Sequence, residues 1–369
     1  MRSRPVIVQH CCGPDKPGGP MSGLRLLLAS PLAEKYEFHT CYQTRPASGL
    51  NLPLALEMAR QIRTHRPDIL HVRGLQNEGL HGLLAGKLAG CRRIVVSVHG
   101  FAGDATISSS VRRFLFNHII EPFTLHSATV VYCVSERQAK RPMIKRWARG
   151  FRGVIPNAAP VFRPIVPRDI MRERLGFSPR DIVCITVTRI TFDKGLGVLA
   201  QAISMSNVAG LHGVKYLVVG DGDYANTFQR EVEEEIRAGR VTMAGARSDV
   251  LDLLNAADIF VFPTLHENLS NALLEAGAAG KAVIATDVGG NAEIITHHVT
   301  GLLVPPSNAE SIVAAIRTLV GTPALQLSLA TNLQRRIHDV FSQRRVFALL
   351  DQLYASVLSM DRPIKDSDR

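Results

Sequence analysis

The chain is predicted to be an α/β protein built from two parallel-sheet domains, each a run of alternating strands and helices. Three observations carry that prediction. At 369 residues the chain is longer than one core usually organises and suits two domains. Short runs rich in β-formers alternate with apolar-periodic helical stretches, the rhythm of the βαβ units that make parallel sheets. The rhythm breaks in a proline-rich stretch after residue 150 and starts afresh at Asp181. Hydrophobic residues make up 46% and charged residues 20%, an ordinary globular composition with disorder expected only at the ends. No run approaches the ~18 apolar residues needed to span a bilayer, and the first ten residues lack a signal-peptide core, so the expected location is the cytoplasm. The six cysteines, at 11, 12, 41, 91, 133 and 184, form no CxxC pair, which argues against a zinc site or a disulfide framework and for small apolar filler.

In the first half, PVIVQH (5–10) reads as a strand, followed by the loop CCGPDKPGGPMSG and the helical LRLLLASPLAEK. A glycine-rich loop between a first strand and helix lets backbone come close to a phosphate, which makes Gly18 and Gly19 candidates, although a plain loop has the same composition. YEFHTCYQ, DILHVRG and RRIVVSVHG (92–100) are further strands, with LPLALEMARQIRTHRP and EGLHGLLAGKLAGC as the helices between them. His99 ends the last of these strands, at the sheet edge where parallel-sheet proteins bind ligands, and there it can donate to a hydroxyl or phosphate. ATVVYCVSE (128–136) is one more strand, and FRGVIPNAAPVFRPIVPRDIMRERLGF, with four prolines, reads as a linker that places the domain boundary near residue 165.

The formal net charge of +11 is unevenly spread: residues 1–160 carry net +13 and residues 161–369 net −2. The excess concentrates in Glu136–Arg152, where Lys140, Arg141, Lys145, Arg146 and Arg149 surround Met143, Ile144, Trp147 and Phe151. Cations mixed with a tryptophan and aliphatics suit anionic lipid headgroups, which would put the protein at the inner face of the cytoplasmic membrane; a merely solvated basic helix face fits equally well. No nucleic-acid-binding pattern accompanies the charge.

The second half opens with the strand DIVCITVTRI (181–190) and a loop into the helix of TFDKGLGVLAQAIS. GVKYLVVGDGD, GRVTMAG, DIFVFPT, KAVIATDVGG and GLLVPP supply its other strands, with helices at 225–238 and in SDVLDLLNAA, the latter capped by Ser248 or Asp249. Arg189 and Lys194 leave the first strand five residues apart, and two cations there can neutralise a diphosphate without a metal. The stretch LHENLSNALLE (265–275) leaves the strand DIFVFPT and enters a helix capped by Ser270 or Asn271. It sets Glu267 in the turn and Glu275 about one turn into the helix. Carboxylates there can accept bonds from sugar or ribose hydroxyls, beside helix N–H groups that favour an anion. Asp221 and Asp223 in GDGD imitate a metal-binding DxD pair, but their place in a glycine turn after a strand favours a loop role.

The ordered set GG (18, 19), SVHGF (97–101), TRITFDKG (188–195), VVGDGD (218–223), VTMAG (241–245), AADIFVFPT (256–264), HENLSNALLEAGAAGKAVIATDVGGNAEII (266–295) and TGLLVPP (300–306) resembles the glycosyltransferases of family 4, from about residue 5 to 358. That resemblance implies a retaining glycosyltransferase of GT-B architecture, two Rossmann-like domains facing across a cleft. Residues 1–165 would be the acceptor-side domain and 166–340 the nucleotide-sugar-binding domain, with 341–369 a helix that crosses back to the first domain plus a tail. Arg189 and Lys194 would grip the donor's distal phosphate, and Glu275 the ribose hydroxyls. Glu267 and the backbone N–H groups of Asn268, Leu269, Ser270 and Asn271 would hold the transferred sugar and its phosphate. His99 would reach the donor sugar, Gly18 and Gly19 would close over the diphosphate, and the base would lie near Gly245 and Arg247.

A UDP- or GDP-sugar would be the co-substrate, with no cofactor or metal, and the acceptor would be lipid-linked or a polysaccharide, in cell-surface glycan or lipopolysaccharide synthesis. Three positions depart from the family pattern: Thr188 stands where a glycine usually precedes the arginine, Asn157-Ala158-Ala159 replaces an Asn-Gly turn, and Gly277 replaces a common methionine. A catalytically idle binding protein of the same fold is the alternative, which the intact Arg, Lys and Glu set opposes; a same-fold nucleotide-sugar epimerase has no positive support.

Overall fold

A computed structural model describes residues 4–12, 19–45, 49–104 and 110–360. The chain forms two compact units, Met1–Ala158 with Gln343–Arg369, and Ala159–Ser342. In the first unit the strands β1 (Val6–Cys12), β2 (Glu37–Gln43), β3 (Ile69–Arg73), β4 (Ile94–Val98), β5 (Val130–Cys133) and β6 (Phe151–Val154) pair in the order β2-β1-β3-β4-β5-β6, every pair parallel. Alternation along each strand sends neighbours to opposite faces. Leu70 and Val96 thus join one core while Ile69 and Val95 join the other. The helix Gln343–Ser359 closes the second of these cores with Val346, Phe347, Leu350, Leu353, Tyr354 and Val357. Polar contacts fix its register: Lys35 and the Tyr36 hydroxyl meet Asp351 at 2.7 and 2.6 Å, and the Tyr354 hydroxyl lies 2.7 Å from His71 Nδ1.

In the second unit β7 (Ile182–Val187), β8 (Val214–Val219), β9 (Val241–Gly245), β10 (Ile259–Phe262), β11 (Ala282–Thr286) and β12 (Leu302–Val304) pair in the order β12-β11-β10-β7-β8-β9, again all parallel. The chain therefore winds outward from β7 in both directions, and the order reverses between β7 and β10. Open α/β sheets bind ligands at the strand carboxyl ends beside such a reversal.

Two sequence expectations are corrected here. The proline-rich stretch taken as a linker contains β6 and a helix, Arg168–Arg174. Long-range side-chain anchors make that helix. Arg168 donates to the carbonyls of Asn255 and Ala257 at 2.6 and 2.7 Å, and both Arg168 and the buried Arg172 pair with Asp258. The same stretch moves the division between units to Ala158/Ala159, because Ala159 N–H donates to Phe341 and the Ile165 and Val166 N–H groups donate to Asp252, all within the second unit. Asp249 flanks the helix Val250–Ala256 without a side-chain capping bond, its carboxylate being held by Arg247 at 2.8 and 2.6 Å.

Gly277, the departure from a common methionine, has a packing cause. A Cβ there would stand 2.6 Å from Ile337 Cγ1 and 3.0 Å from Leu333 Cγ, on the helix Pro323–Phe341 that lies against Asn271–Ala278. Gly277→Met is expected to overpack this contact and destabilise the second unit by about 1–3 kcal/mol. Urea unfolding checks it, and an unchanged midpoint would show that the two helices separate freely.

Candidate active site at the carboxyl ends of the second sheet

The loop leaving β7 carries Arg189 and Lys194, and the loop leaving β10 carries Glu267, so the two meet where the strand order reverses. Lys194 is buried, and its Nζ lies 3.2 Å from Glu267 Oε2, 3.3 Å from the His266 carbonyl and 3.6 Å from Asp193 Oδ2. The loops are tied by backbone as well, since Leu265 N–H donates to the Asp193 carbonyl at 2.8 Å. Gly195 has φ +70°, and a Cβ on it would fall 2.0 Å from the Pro263 carbonyl oxygen. A third loop, leaving β11, presses on the same place: Gly289 has φ +57°, and its Cβ would stand 1.6 Å from the Glu267 carbonyl. Only glycine meets both demands at these positions.

Buried threonines at the strand ends fix the carbonyls of this turn. Thr286 donates to the Thr264 carbonyl at 2.5 Å and Thr264 to that of His266 at 2.8 Å. Asp193 lies in the cation cluster. Burial would raise its carboxyl, but the Thr191 hydroxyl at 2.5 Å and the positive charges of Lys194 and Arg189 outweigh that and hold it below the usual range. Spacing alone did not reveal Asp193, Thr264 or Thr286 as site residues. The one signal for them was the position of each beside a strand exit.

Glu267 also accepts the Asn268 N–H at 3.1 Å, and Ser270 caps the helix Asn271–Ala278 by accepting from Leu273 N–H at 3.3 Å. Leu269 and Ser270 are buried, while Asn268 and Asn271 are half-buried. Glu275 follows in that helix, half-buried, its carboxyl without a hydrogen bond or ion pair among the described residues. Burial pushes its carboxyl up to about 7. Arg189 is exposed, with no side-chain hydrogen bond or ion pair among the described residues, its charge acting on Asp193 from farther away. One cation and one carboxyl, on either side of the Lys194–Glu267 pair in sequence, thus carry no side-chain hydrogen bond or ion pair among the described residues.

The GDGD turn supports the Arg189 loop. The Asp221 carbonyl accepts from Ile190 N–H at 2.9 Å and its carboxylate from Gly222 N–H at 2.7 Å. Gly245 is exposed, and its carbonyl accepts from Gly220 N–H at 2.8 Å, while Arg247 is engaged by Asp249. Gly18 lies outside the described residues, and Gly19 begins the helix Gly19–Leu28. In the first unit His99 is half-buried just beyond β4, with Nε2 3.1 Å from the Ser97 hydroxyl. Burial, helped by Arg73, lowers its pKa to about 3, so the imidazole is neutral at physiological pH.

Two family models match the chain: glycosyl transferases group 1 over residues 167–336, and glycosyltransferase family 4 over residues 28–157. An Escherichia coli protein, UDP-Gal:alpha-D-GlcNAc-diphosphoundecaprenol alpha-1,3-galactosyltransferase, is 24% identical over 311 residues, 82% of this chain and 79% of its own. The GDP-mannose-dependent alpha-mannosyltransferase of Mycobacterium tuberculosis is 28% identical over 269 residues, 70% of this chain and 66% of its own. Among solved structures, Anabaena HepE in complex with UDP and glucose superposes with a TM-score of 0.79 at 20% identity, over 96% of this chain and all of that one. Two six-stranded parallel sheets of this kind are the GT-B architecture, and with both family models matched in order along the chain, the protein belongs to the glycosyltransferases of family 4.

Proposed function

We propose that the protein moves a hexose from a nucleotide-sugar, a UDP- or GDP-hexose, to a lipid-linked or polysaccharide acceptor, with retention of configuration and without a metal. The observation that carries the reading is the convergence of the β7 and β10 loops, with Lys194 fixed on Glu267 and the Arg189 and Glu275 side chains making no hydrogen bond or ion pair among the described residues. The named relatives act on a UDP-sugar with a diphosphoundecaprenol acceptor and on GDP-mannose, which supports the substrate classes.

Breaking the bond from the anomeric carbon to the diphosphate builds negative charge on the leaving oxygen and positive charge on the sugar ring. Arg189, Lys194 and the N–H groups opening the helix Asn271–Ala278 stabilise the first, in the manner of a preorganised anion site. Glu267 holds the sugar and Glu275 the ribose through their hydroxyls. The base is held near Gly245 and Arg247. The acceptor oxygen bonds the anomeric carbon on the face the phosphate leaves, and its proton passes to the departing phosphate oxygen. No side-chain nucleophile is assigned, and Asp221 and Asp223 act in the turn. Residues 1–158 hold the acceptor, and the basic segment Lys140–Arg149 with Trp147 rests on anionic headgroups. Arg141 is excepted from that surface: it pairs with Asp104 and lies 4.6 Å over the Phe101 ring, inside the first unit.

A panel of UDP-, GDP- and ADP-sugars with a metal chelator tests the reading. One nucleotide class is expected to raise the melting temperature, and its sugar to be consumed with nucleotide release. No stabilisation and no release across the panel would refute it.

A further inference from the structure

The segment Ser110–Ser127 of the first unit is helical throughout, an α-helix (Ser110–Leu115), a π-turn (Phe116–Ile120) and a second α-helix (Glu121–Ser127). One side is packed inward by Phe116, Glu121, Thr124 and Leu125. The other holds Val111 (67% exposed), Phe114 (58%), Leu115 (42%), Ile119 (54%) and Phe123 (43%). Val111, Leu115, Ile119 and Phe123 recur every four residues. In a pure α-helix that spacing drifts around the axis, but a π-turn takes more residues per turn and offsets part of the drift, so the four stay in a ridge. Single exposed apolar residues are ordinary, whereas five on one short helix are the mark of an interaction surface.

The charge around the ridge identifies what it meets. Residues 110–152 hold nine Lys and Arg against two acids, and one of the acids, Glu121, is fully buried. Arg112 and Arg113 flank the ridge on its own helix. The helix Pro142–Trp147, which bears Lys145 and Arg146, packs beside Glu121–Ser127, with Trp147 edge-on to His126 at 6.4 Å. A second copy docking through the same face would set these cations against each other. An anionic bilayer rewards both features, taking the apolar ridge into its acyl boundary and the cations at its headgroups. No single helix among the described residues is long and apolar enough to cross a membrane.

We propose that Val111, Phe114, Leu115, Ile119 and Phe123 insert into the surface of an anionic membrane, with Arg112, Arg113, Lys145 and Arg146 on the headgroups around them. This deepens the proposed function by giving the enzyme a membrane anchor apart from its donor site, and it rests on that reading only for its purpose. Sedimentation with phosphatidylcholine vesicles, with and without phosphatidylglycerol, at low and high salt, is the test. The protein is expected to bind the anionic vesicles, and to keep part of that binding in high salt. Phe114→Asp and Ile119→Asp are each expected to weaken it about tenfold or more. Phe114→Trp is expected to add fluorescence that lipids brominated in their acyl chains quench.

Both aspartate variants alter exposed positions, so melting temperature and nucleotide stabilisation are expected to stay as in the parent. A nucleotide response without vesicle binding overturns the anchor and leaves the enzyme reading standing; vesicle binding without a nucleotide response does the reverse. Binding abolished by salt, unaltered by either aspartate variant, or unaccompanied by quenching overturns insertion. So does a dimer that the aspartate variants dissociate.

Discussion

Lys194→Met is expected to lower kcat/KM by about 10²–10³-fold, the cost of removing one preorganised charge from a site where negative charge develops. Methionine keeps the buried stem and removes only the ammonium, which separates electrostatics from packing. The loss should fall on kcat, because the leaving phosphate carries more charge in the transition state than in the bound donor, and further on kcat/KM, which also registers weaker donor binding. The ground state has its own signature. Without Nζ, Glu267 and Asp193 lose the cation that sits 3.2 and 3.6 Å from them, and two uncompensated carboxylates then face an anionic diphosphate. Nucleotide binding should therefore weaken too, and should recover in part in Lys194→Met/Glu267→Gln while turnover does not. Steady-state kinetics and nucleotide titrations of both variants provide the check. Near-normal turnover by Lys194→Met would remove the lysine from the mechanism.

That pair also shows how far sequence reaches. Lys194 and Glu267 were legible as strand-exit residues because β7 and β10 are short runs, apolar but for Thr186, whose ends are sharply marked. Their contact was not legible, since 73 positions separate them and only the strand order brings their loops together. The strand β6 was missed for a related reason. Phe151–Val154 is a half-exposed edge strand with Gly153 at φ +89°, so it has no apolar run to betray it. The helical segment Ser110–Ser127 escaped because apolar side chains point both inward and outward, which blurs the amphipathic stripe, and the π-turn shifts its period. Features that serve a partner outside the chain obey a different pattern from features that serve the core.

Glu275→Gln is expected to make the free protein more stable and the enzyme less active at pH 8. The carboxyl is raised by burial to about 7, above its ordinary value of 4.5. Between those values the folded state holds a proton that the unfolded state has lost, so stability falls as pH rises through that window and stays low above it. An amide carries no such penalty, and the variant should gain on the order of 1–3 kcal/mol at pH 8, a gain that fades to nothing below pH 4.5. Ribose hydroxyls donating to the ionised carboxyl would oppose the burial effect and lower its pKa. Nucleotide binding near pH 6.5 should then release a proton, seen as a buffer-dependent heat, and affinity should rise with pH until about 7 and level off. In Glu275→Gln the proton release and this pH dependence should both vanish, with donor affinity below the parent's at pH 8. A variant that is more stable yet binds nucleotide as well as the parent would break the link between the two. The carboxyl would then be a cost to the fold with no return in binding, and the ribose would have to be held elsewhere.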